Sequence, residues 1–319
     1  MPVGDPAPLL SLPGAAFAPG AGAIWCEGAD GLPLRAAYFA APRPIGSVVL
    51  SPGRTEPIEK YVEVVGELLQ RGYCVLIHDW RGQGLSGRLL PDRLRGHAEG
   101  FDAFVDDFRT LIDRFEPDLP QPRIALGHSM GGCLTLAALA RGERRFSAAI
   151  LSSPMLGLNT GGVPAWQARL MAAAMRWAGR GGDYLLGGPT DPFNVAFEKD
   201  RLTHDRVRYA RARAQILAEP DLALGQPTWG WLASAYGAID RLARSPQVNQ
   251  IAIPVILVAA GEESLVRNAD SRRMAERLPK GRYVEIAGAY HELLMETDDI
   301  RAQFWAQFDH LAGSVARSG

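Results

Sequence analysis

Between residues 123 and 139 the chain reads Arg123-Ile124-Ala125-Leu126, Gly127-His128-Ser129-Met130-Gly131-Gly132, Cys133-Leu134-Thr135-Leu136-Ala137-Ala138-Leu139. The first run predicts a short buried strand and the last a helix. A serine between them, with glycine two residues before and two after, constrains the fold more than any other feature of the sequence. Such a serine sits at the tip of a strained strand-to-helix turn, and only small residues at the flanking positions let strand and helix approach. Its hydroxyl then projects above the sheet edge, where the free N–H groups of the helix N-terminus favour developing negative charge. The same spacing occurs in ordinary glycine-rich turns, so the reading depends on partners downstream.

Short apolar runs recur along the chain at 35–40, 47–50, 74–77, 124–126, 148–151, 255–258 and 282–286, with helical patterns at 58–71, 101–115, 131–142, 268–278 and 298–312. Continuous apolar strands alternating with helices predict an α/β fold, a mostly parallel sheet covered on both faces. The first twenty residues, rich in Pro, Gly and Ala, read as an extended N-terminal arm. The sheet rhythm holds over 21–156 and 246–319 and breaks over 157–245, which reads as an inserted helical cap. That segment holds eleven Lys/Arg against eight Asp/Glu and four of the seven tryptophans, Trp166, Trp177, Trp229 and Trp231.

A formal net charge of −1 over 319 residues argues against nucleic-acid binding. Cys26, Cys74 and Cys133 are too few and too scattered for a disulfide framework or a metal site, and no metal or organic cofactor is expected. No cationic stretch precedes an apolar one at the N-terminus, and no run reaches the roughly 18 apolar residues of a membrane span. A cytoplasmic enzyme is expected, compatible with peripheral contact at the inner membrane.

A serine hydroxyl needs a base to take its proton, and the base needs an acid to hold its tautomer. His291 follows the strand-like run 282–286 and belongs on a loop at the carboxyl edge of the sheet, where ligands bind in open α/β folds. His204 falls in the arginine-rich insertion and His310 in the terminal helix, which leaves His291 as the base. The acid is expected after the run 253–260, where Glu262 and Glu263 stand side by side and no aspartate occurs. Asp298 and Asp299 read as first-turn residues of the last helix. The backbone N–H of Met130 is one candidate oxyanion donor, and the loop Ser51-Pro52-Gly53-Arg54-Thr55-Glu56 supplies the second. Asp79-Trp80-Arg81-Gly82-Gln83-Gly84 reads as support for that loop, with Asp79 and Arg81 pinning it; its glycines lack the spacing of a dinucleotide site. In the insertion, Trp166, Leu170, Ala173 and Trp177 share one helical face and Arg169 and Arg176 another. That pattern suits either a lipid-facing helix that binds substrate through Trp166 and Trp177, or a helix packed on the core.

Together Pro52-Gly53-Arg54-Thr55-Glu56 with Lys60-Tyr61, the 79–86 segment, Gly127 to Gly132 and His291-Glu292-Leu293-Leu294 resemble the monoacylglycerol lipase and bacterial lysophospholipase branch of the serine α/β-hydrolases, the serine aminopeptidase-type hydrolases. Pro220 to Gly225 and Pro227-Thr228-Trp229-Gly230-Trp231 resemble the lysophospholipase side. The resemblance spans about residues 25 to 312 and implies an α/β-hydrolase fold with an inserted cap. It implies hydrolysis of a carboxylic ester through an acyl-enzyme, the substrate a small acyl ester or single-chain lipid, most simply a lysophospholipid or monoacylglycerol. The family's acid is the aspartate of G-x-x-D-x-x-V; counting back three from Val266 reaches Glu263, with Ala260 in the glycine's place. The family's loop, aligned on Lys60-Tyr61, puts the second oxyanion amide at Arg54. Carboxylesterase, peptidase or thioesterase chemistry, or a non-catalytic binding role, are the competing expectations.

Overall fold

The computed structural model describes residues 4–18, 21–185, 191–199 and 201–316. Nine strands form one sheet: β1 Pro6–Ala7, β2 Gly22–Glu27, β3 Pro33–Phe39, β4 Gly46–Ser51, β5 Tyr73–His78, β6 Arg123–His128, β7 Ala148–Ser152, β8 Val255–Ala260 and β9 Gly281–Ile286, in the order β1-β2-β3-β5-β4-β6-β7-β8-β9. Strands β1 to β3 pair antiparallel, and β3 pairs antiparallel with β5. From β5 onward every pairing is parallel. The parallel strands β4 to β8 are buried along their whole length, as their unbroken apolar runs require when helices cover both faces. Each fully buried valine, leucine or isoleucine there contributes about 1.5–3 kcal/mol relative to exposure.

One face is covered by α1 Val62–Gln70 and α8 Asp298–Ala316, which pack Val64, Leu68, Phe304 and Phe308 on the sheet. The other carries α2 Asp102–Phe115, α3 Met130–Ala140 and α7 Asn268–Arg277. Helix α3 is buried over nearly its whole surface, which explains why its sequence lacks a polar stripe. Between β7 and β8 the chain forms α4 Ala165–Trp177, α5 Arg206–Ala218 and α6 Trp229–Arg244. Helix α6 joins the sheet's core through Trp231, Ala235, Ala238, Ile239 and Leu242. Helix α4 packs only its smallest residues, Ala168 and Ala172, and Arg169 pairs with Asp240 of α6.

Strand β2 is absent from the sequence reading. It lies between β1 and β3, and its apolar run, Ala23-Ile24-Trp25-Cys26, follows directly on the Pro/Gly/Ala-rich arm, which masks it. The chain before it is tied down as well: Ala15 and Phe17 are buried, Phe17 stacks on Phe39 at 5.0 Å, and Leu10 N donates to Glu59 at 3.1 Å. Among the described residues no helix is long and apolar enough to cross a membrane.

Candidate active site

The register of the sheet assembles the site. Ser51, the last residue of β4, pairs with Gly127 of β6, so the loop after β4 leaves the sheet beside Ser129. Ala260 of β8 pairs with Ile286 of β9, and beyond them Glu262 N donates to Ala289 O at 2.9 Å. That contact sews the loop carrying Glu263 to the loop carrying His291.

Ser129 has φ 49° and ψ −114°, a conformation that costs about 1–3 kcal/mol and persists only where its surroundings impose it. Its N–H donates to Ser152 O at 2.9 Å, and its carbonyl accepts from Cys133 and Met155. A β-carbon on Gly131 would overlap the carbonyl oxygens of Ser51 and Pro52, and one on Gly127 would stand 2.8 Å from the Cα of Gly132. Both flanking glycines are thus demanded by backbone approach. Gly131 also brings the start of α3 against the loop after β4. Met130 is the first residue of α3, so its N–H has no partner within the helix. Arg54 N forms no hydrogen bond among the described residues. Among the described non-glycine residues, the only positive φ angles are at Thr55, Ser129 and Ser153, all on the backbone surrounding this serine.

His291 Nε2 lies 2.9 Å from Ser129 Oγ, and His291 Nδ1 lies 2.7 Å from Glu263 Oε2. The second oxygen of Glu263 accepts from Leu265 N at 2.8 Å and Val266 N at 3.2 Å. The acid therefore caps its own turn, which is the physical content of its fixed spacing to Val266. Burial pushes the Glu263 carboxyl up, but the hydrogen bond and charge of His291 and the two backbone N–H groups outweigh it and hold it below its ordinary value. Glu262 is exposed. His204 sits on Tyr290 at 3.7 Å and bonds Glu296, and His310 is exposed, so neither approaches Ser129. Asp298 and Asp299 begin α8, where Asp298 meets Arg208.

The loop after β4 is held from several sides. Glu56 Oε2 accepts from Gly53 N at 2.5 Å and from the Tyr61 hydroxyl at 2.6 Å. Lys60 bridges Glu56 at 2.8 Å and Glu292, next to His291, at 2.6 Å. Burial pushes Glu56 up, but Lys60 and then His128 outweigh it, holding its pKa at about 2. Trp80 Nε1 donates to Pro52 O at 2.8 Å, Thr55 N donates to Gln83 Oε1 at 2.7 Å, and Asp79 accepts from Ile58 N at 2.9 Å. Arg81 turns away to Asp107 and Asp30, so the expected pairing of Asp79 and Arg81 on this loop is corrected to Trp80, Gln83 and Asp79. Glu56 and Lys60 were visible only as motif letters. Their roles depend on Glu292, 232 residues beyond Lys60.

His128 is buried against His291, with ring centroids 4.9 Å apart, and burial lowers its pKa to about 4. It is therefore neutral at working pH and adds no charge opposing an imidazolium at His291.

A cavity of about 670 Å³ opens over Ser129, His291 and Met130. Its apolar walls come chiefly from Met155 and Leu158 after β7, Met171 of α4, and Trp229, Trp231 and Tyr236 of α6. Trp166 and Trp177 do not line it, contrary to the sequence expectation; they are 63% and 91% exposed. Close packing of α4 on α6 through Ala168 and Ala172 turns the aromatic stripe outward. Leu170 on the same stripe is 62% exposed, so that face packs on no core either.

A serine, a histidine and a carboxylate in hydrogen-bond series at the carboxyl edge of this sheet define a serine hydrolase of the α/β-hydrolase fold. Residues 42–298 match the family described as serine aminopeptidase, S33, and the chain belongs to that family. It is 34% identical over 286 residues to lysophospholipase L2 of Escherichia coli K12, covering 86% of this chain and 82% of that protein. It is 28% identical over 258 residues to the monoacylglycerol lipase of Mycolicibacterium smegmatis, covering 80% and 84%. Among solved structures, a soluble variant of the Saccharomyces cerevisiae monoglyceride lipase with a substrate analogue superposes with a TM-score of 0.72 at 18% identity, covering 91% and 94%.

Proposed function

We propose that the enzyme hydrolyses the ester of a single-chain glycerolipid, a lysophospholipid or monoacylglycerol, with Ser129 as nucleophile, His291 as general base and acid, and Glu263 as the residue that orients His291. The observation that carries this reading is the Ser129–His291–Glu263 series, at 2.9 and 2.7 Å, opening into a 670 Å³ cavity walled mainly by apolar side chains. Similarity to proteins named lysophospholipase and monoacylglycerol lipase supports the substrate class.

His291 Nε2 takes the Ser129 proton as Oγ bonds to the ester carbonyl carbon, and the carbonyl π electrons move onto oxygen. The N–H groups of Arg54 and Met130 stabilise that oxyanion. Collapse breaks the bond to the alcohol oxygen, which takes the proton from His291 and leaves as the glycerol-bearing half. Water, deprotonated by His291, then repeats the sequence on the acyl-enzyme and releases the fatty acid. Glu263 keeps Nδ1 protonated and stabilises the imidazolium throughout.

Residues 157–245 act in this reading as a cap over a core formed by 21–156 and 246–319, with residues 1–20 as an N-terminal arm, of which Pro6–Ala7 pairs with β2 and 1–3 and 19–20 lie outside the described residues. The outward stripe Trp166, Leu170 and Trp177 is the surface through which a cytoplasmic enzyme would meet the inner membrane to collect its substrate. A panel of chromogenic esters of graded acyl length, run beside a lysophospholipid and a monoacylglycerol, tests the assignment. Turnover rising with chain length and extending to the glycerolipids is expected. Turnover confined to acetyl esters or to amino-acid arylamides would overturn the substrate class.

A further inference from the structure

The Arg54 side chain has no part in the chemistry above, which uses only its backbone. It lies in the wall between the cavity over Ser129 and a second cavity of about 430 Å³ beneath α5, and it lines both. Its Nη2 donates to Gly225 O, while Nε is buried without a partner. Nη1 forms no hydrogen bond and no carboxylate pairs with the guanidinium among the described residues. The group rests 5.4 Å from the Trp231 ring and against Gly96, where a β-carbon would stand 2.5 Å from Nη2. Burial with no compensating anion lowers its pKa to about 10, still a cation at neutral pH.

Three other buried guanidinia are compensated, whereas Arg88, which lines neither cavity, keeps Nε and Nη1 buried without partners and donates only to the carbonyls of Asp221 and Ala223. Arg35 meets Glu59 and Asp79, Arg81 meets Asp107 and Asp30, and Arg301 meets Glu63 and Glu67. Around the second cavity Lys60 is held by Glu56 and Glu292, and Arg208 by Glu63, Asp205 and Asp298. Arg213, which lines the same cavity, bonds only Pro192 O and has no carboxylate partner among the described residues. Two cations without counter-ions therefore face one cavity. Burying an unpaired charge is costly, and a guanidinium left in that state is suited to a phosphate, whose oxygens accept its N–H groups in a planar fork.

We infer that the second cavity receives a phosphate group carried on the alcohol half of the ester, with Arg54 as its main ligand and Arg213 as a second. The inference rests on the serine ester hydrolase reading of Ser129. An acyl chain in the apolar cavity and a carbonyl at Ser129 leave the alcohol half to pass the wall that Arg54 occupies. A monoacylglycerol offers that guanidinium no charge; a lysophospholipid offers a phosphodiester. The site thus selects phosphate-bearing esters over neutral ones of equal chain length.

The test compares kcat/KM for a lysophosphatidylcholine and for the monoacylglycerol of the same chain, both below their micelle concentrations, in wild type, Arg54→Gln and Arg213→Gln. A charge-assisted contact predicts that Arg54→Gln lowers the phospholipid-to-neutral ratio at least about tenfold, mainly through KM, and Arg213→Gln about threefold. An unchanged ratio in Arg54→Gln overturns the inference even if both rates fall, because a disturbed oxyanion loop would slow both esters alike. Glycerophosphocholine and inorganic phosphate as inhibitors of monoacylglycerol turnover separate the two sources of phosphate. Competitive inhibition by glycerophosphocholine that Arg54→Gln abolishes supports the headgroup site. Inhibition by inorganic phosphate alone would mark a free-anion site and overturn the headgroup assignment. Ester hydrolysis with no phosphate preference in wild type overturns the inference and leaves the hydrolase reading standing. Absence of hydrolysis of either ester takes down both.

Discussion

The carboxyl edge of the sheet and the insertion between β7 and β8 contribute to the same cavity in opposite ways. At the sheet edge each reacting group is fixed by strand register and then by several hydrogen bonds: Glu263 by three, the loop carrying Arg54 by Glu56, Trp80 and Gln83. In the insertion, α6 is bound into the core, whereas α4 is attached through two alanines and a few arginine contacts and leaves its largest side chains in solvent. The difference teaches that the reacting groups sit where the backbone is most densely bonded, while the insertion divides into α6, which walls the cavity from within the core, and α4, which is held by few contacts.

The sharpest way to break this comparison is to remove a reacting group. Ser129→Ala is expected to lower turnover on the order of 10⁴-fold or more with folding intact, and His291→Ala to cost about as much. The double variant should be little worse, because the two share one proton transfer; multiplying losses in steady-state kinetics would contradict that. Glu263→Gln should cost on the order of 10³–10⁴-fold and Glu262→Gln almost nothing, and the reverse result would move the acid by one residue. Next in size, Glu56→Gln leaves one acceptor oxygen where Gly53 N, the Tyr61 hydroxyl and Lys60 share two, removes the charge that Lys60 pairs with, and loosens the oxyanion loop. It should lower kcat on the order of 10²-fold with a smaller change in KM. An equal rise in KM with kcat unchanged would give Glu56 a binding role instead.

The rigidity of the core can be read through acid stability. His78 is buried with both ring nitrogens unpartnered and its pKa lowered to about 3 by burial, and His128 is lowered to about 4. Both stay neutral in the folded chain and take up a proton on unfolding near pH 6.5, so their contribution is present above about 6.5 and is lost as pH falls toward 4. Denaturant titrations should show stability falling by up to about 2.7 kcal/mol per pH unit in that window. His78→Leu should remove about half of that slope; an unaltered slope would mean His78 is charged or hydrated in the fold. The smallest effects belong to α4. Trp166→Ala with Trp177→Ala should change turnover of monomeric esters less than about threefold while weakening association with anionic vesicles. Trp231→Ala should reduce long-chain turnover more than acetate turnover. A loss of long-chain turnover with acetate turnover spared in the α4 pair would place that helix in the acyl pocket after all.

How legible each region was follows from the same contrast. Strand ends are readable because an apolar run, a turn and a reactive residue are contiguous: Ser129 follows β6 at once and His291 lies five residues beyond β9. The acid was readable only as Glu262 or Glu263 from the residues; the family spacing to Val266 singled out Glu263, and the Val266 N–H that Glu263 accepts gives the spacing its cause. The Glu56–Lys60–Glu292 bridge was not readable, because it joins loops that only the sheet order brings together. In α4 the helical period defined the stripe Trp166, Leu170, Trp177, but a period cannot say what a stripe faces. The decision fell to Ala168 and Ala172, whose smallness lets α6 approach, and pattern reading favours the large apolar residues over the small ones. Strand β2 escaped for a different reason: its apolar run, Ala23-Ile24-Trp25-Cys26, is only four residues long and follows directly on the Pro/Gly/Ala-rich arm.

Labelling with a fluorophosphonate, followed by peptide mass spectrometry, tests the central claim most directly. The geometry predicts a single adduct on the peptide containing Ser129, formed rapidly in wild type and slowed by orders of magnitude in His291→Ala. An adduct on another serine, or full-rate labelling of Ser129 without His291, would contradict it.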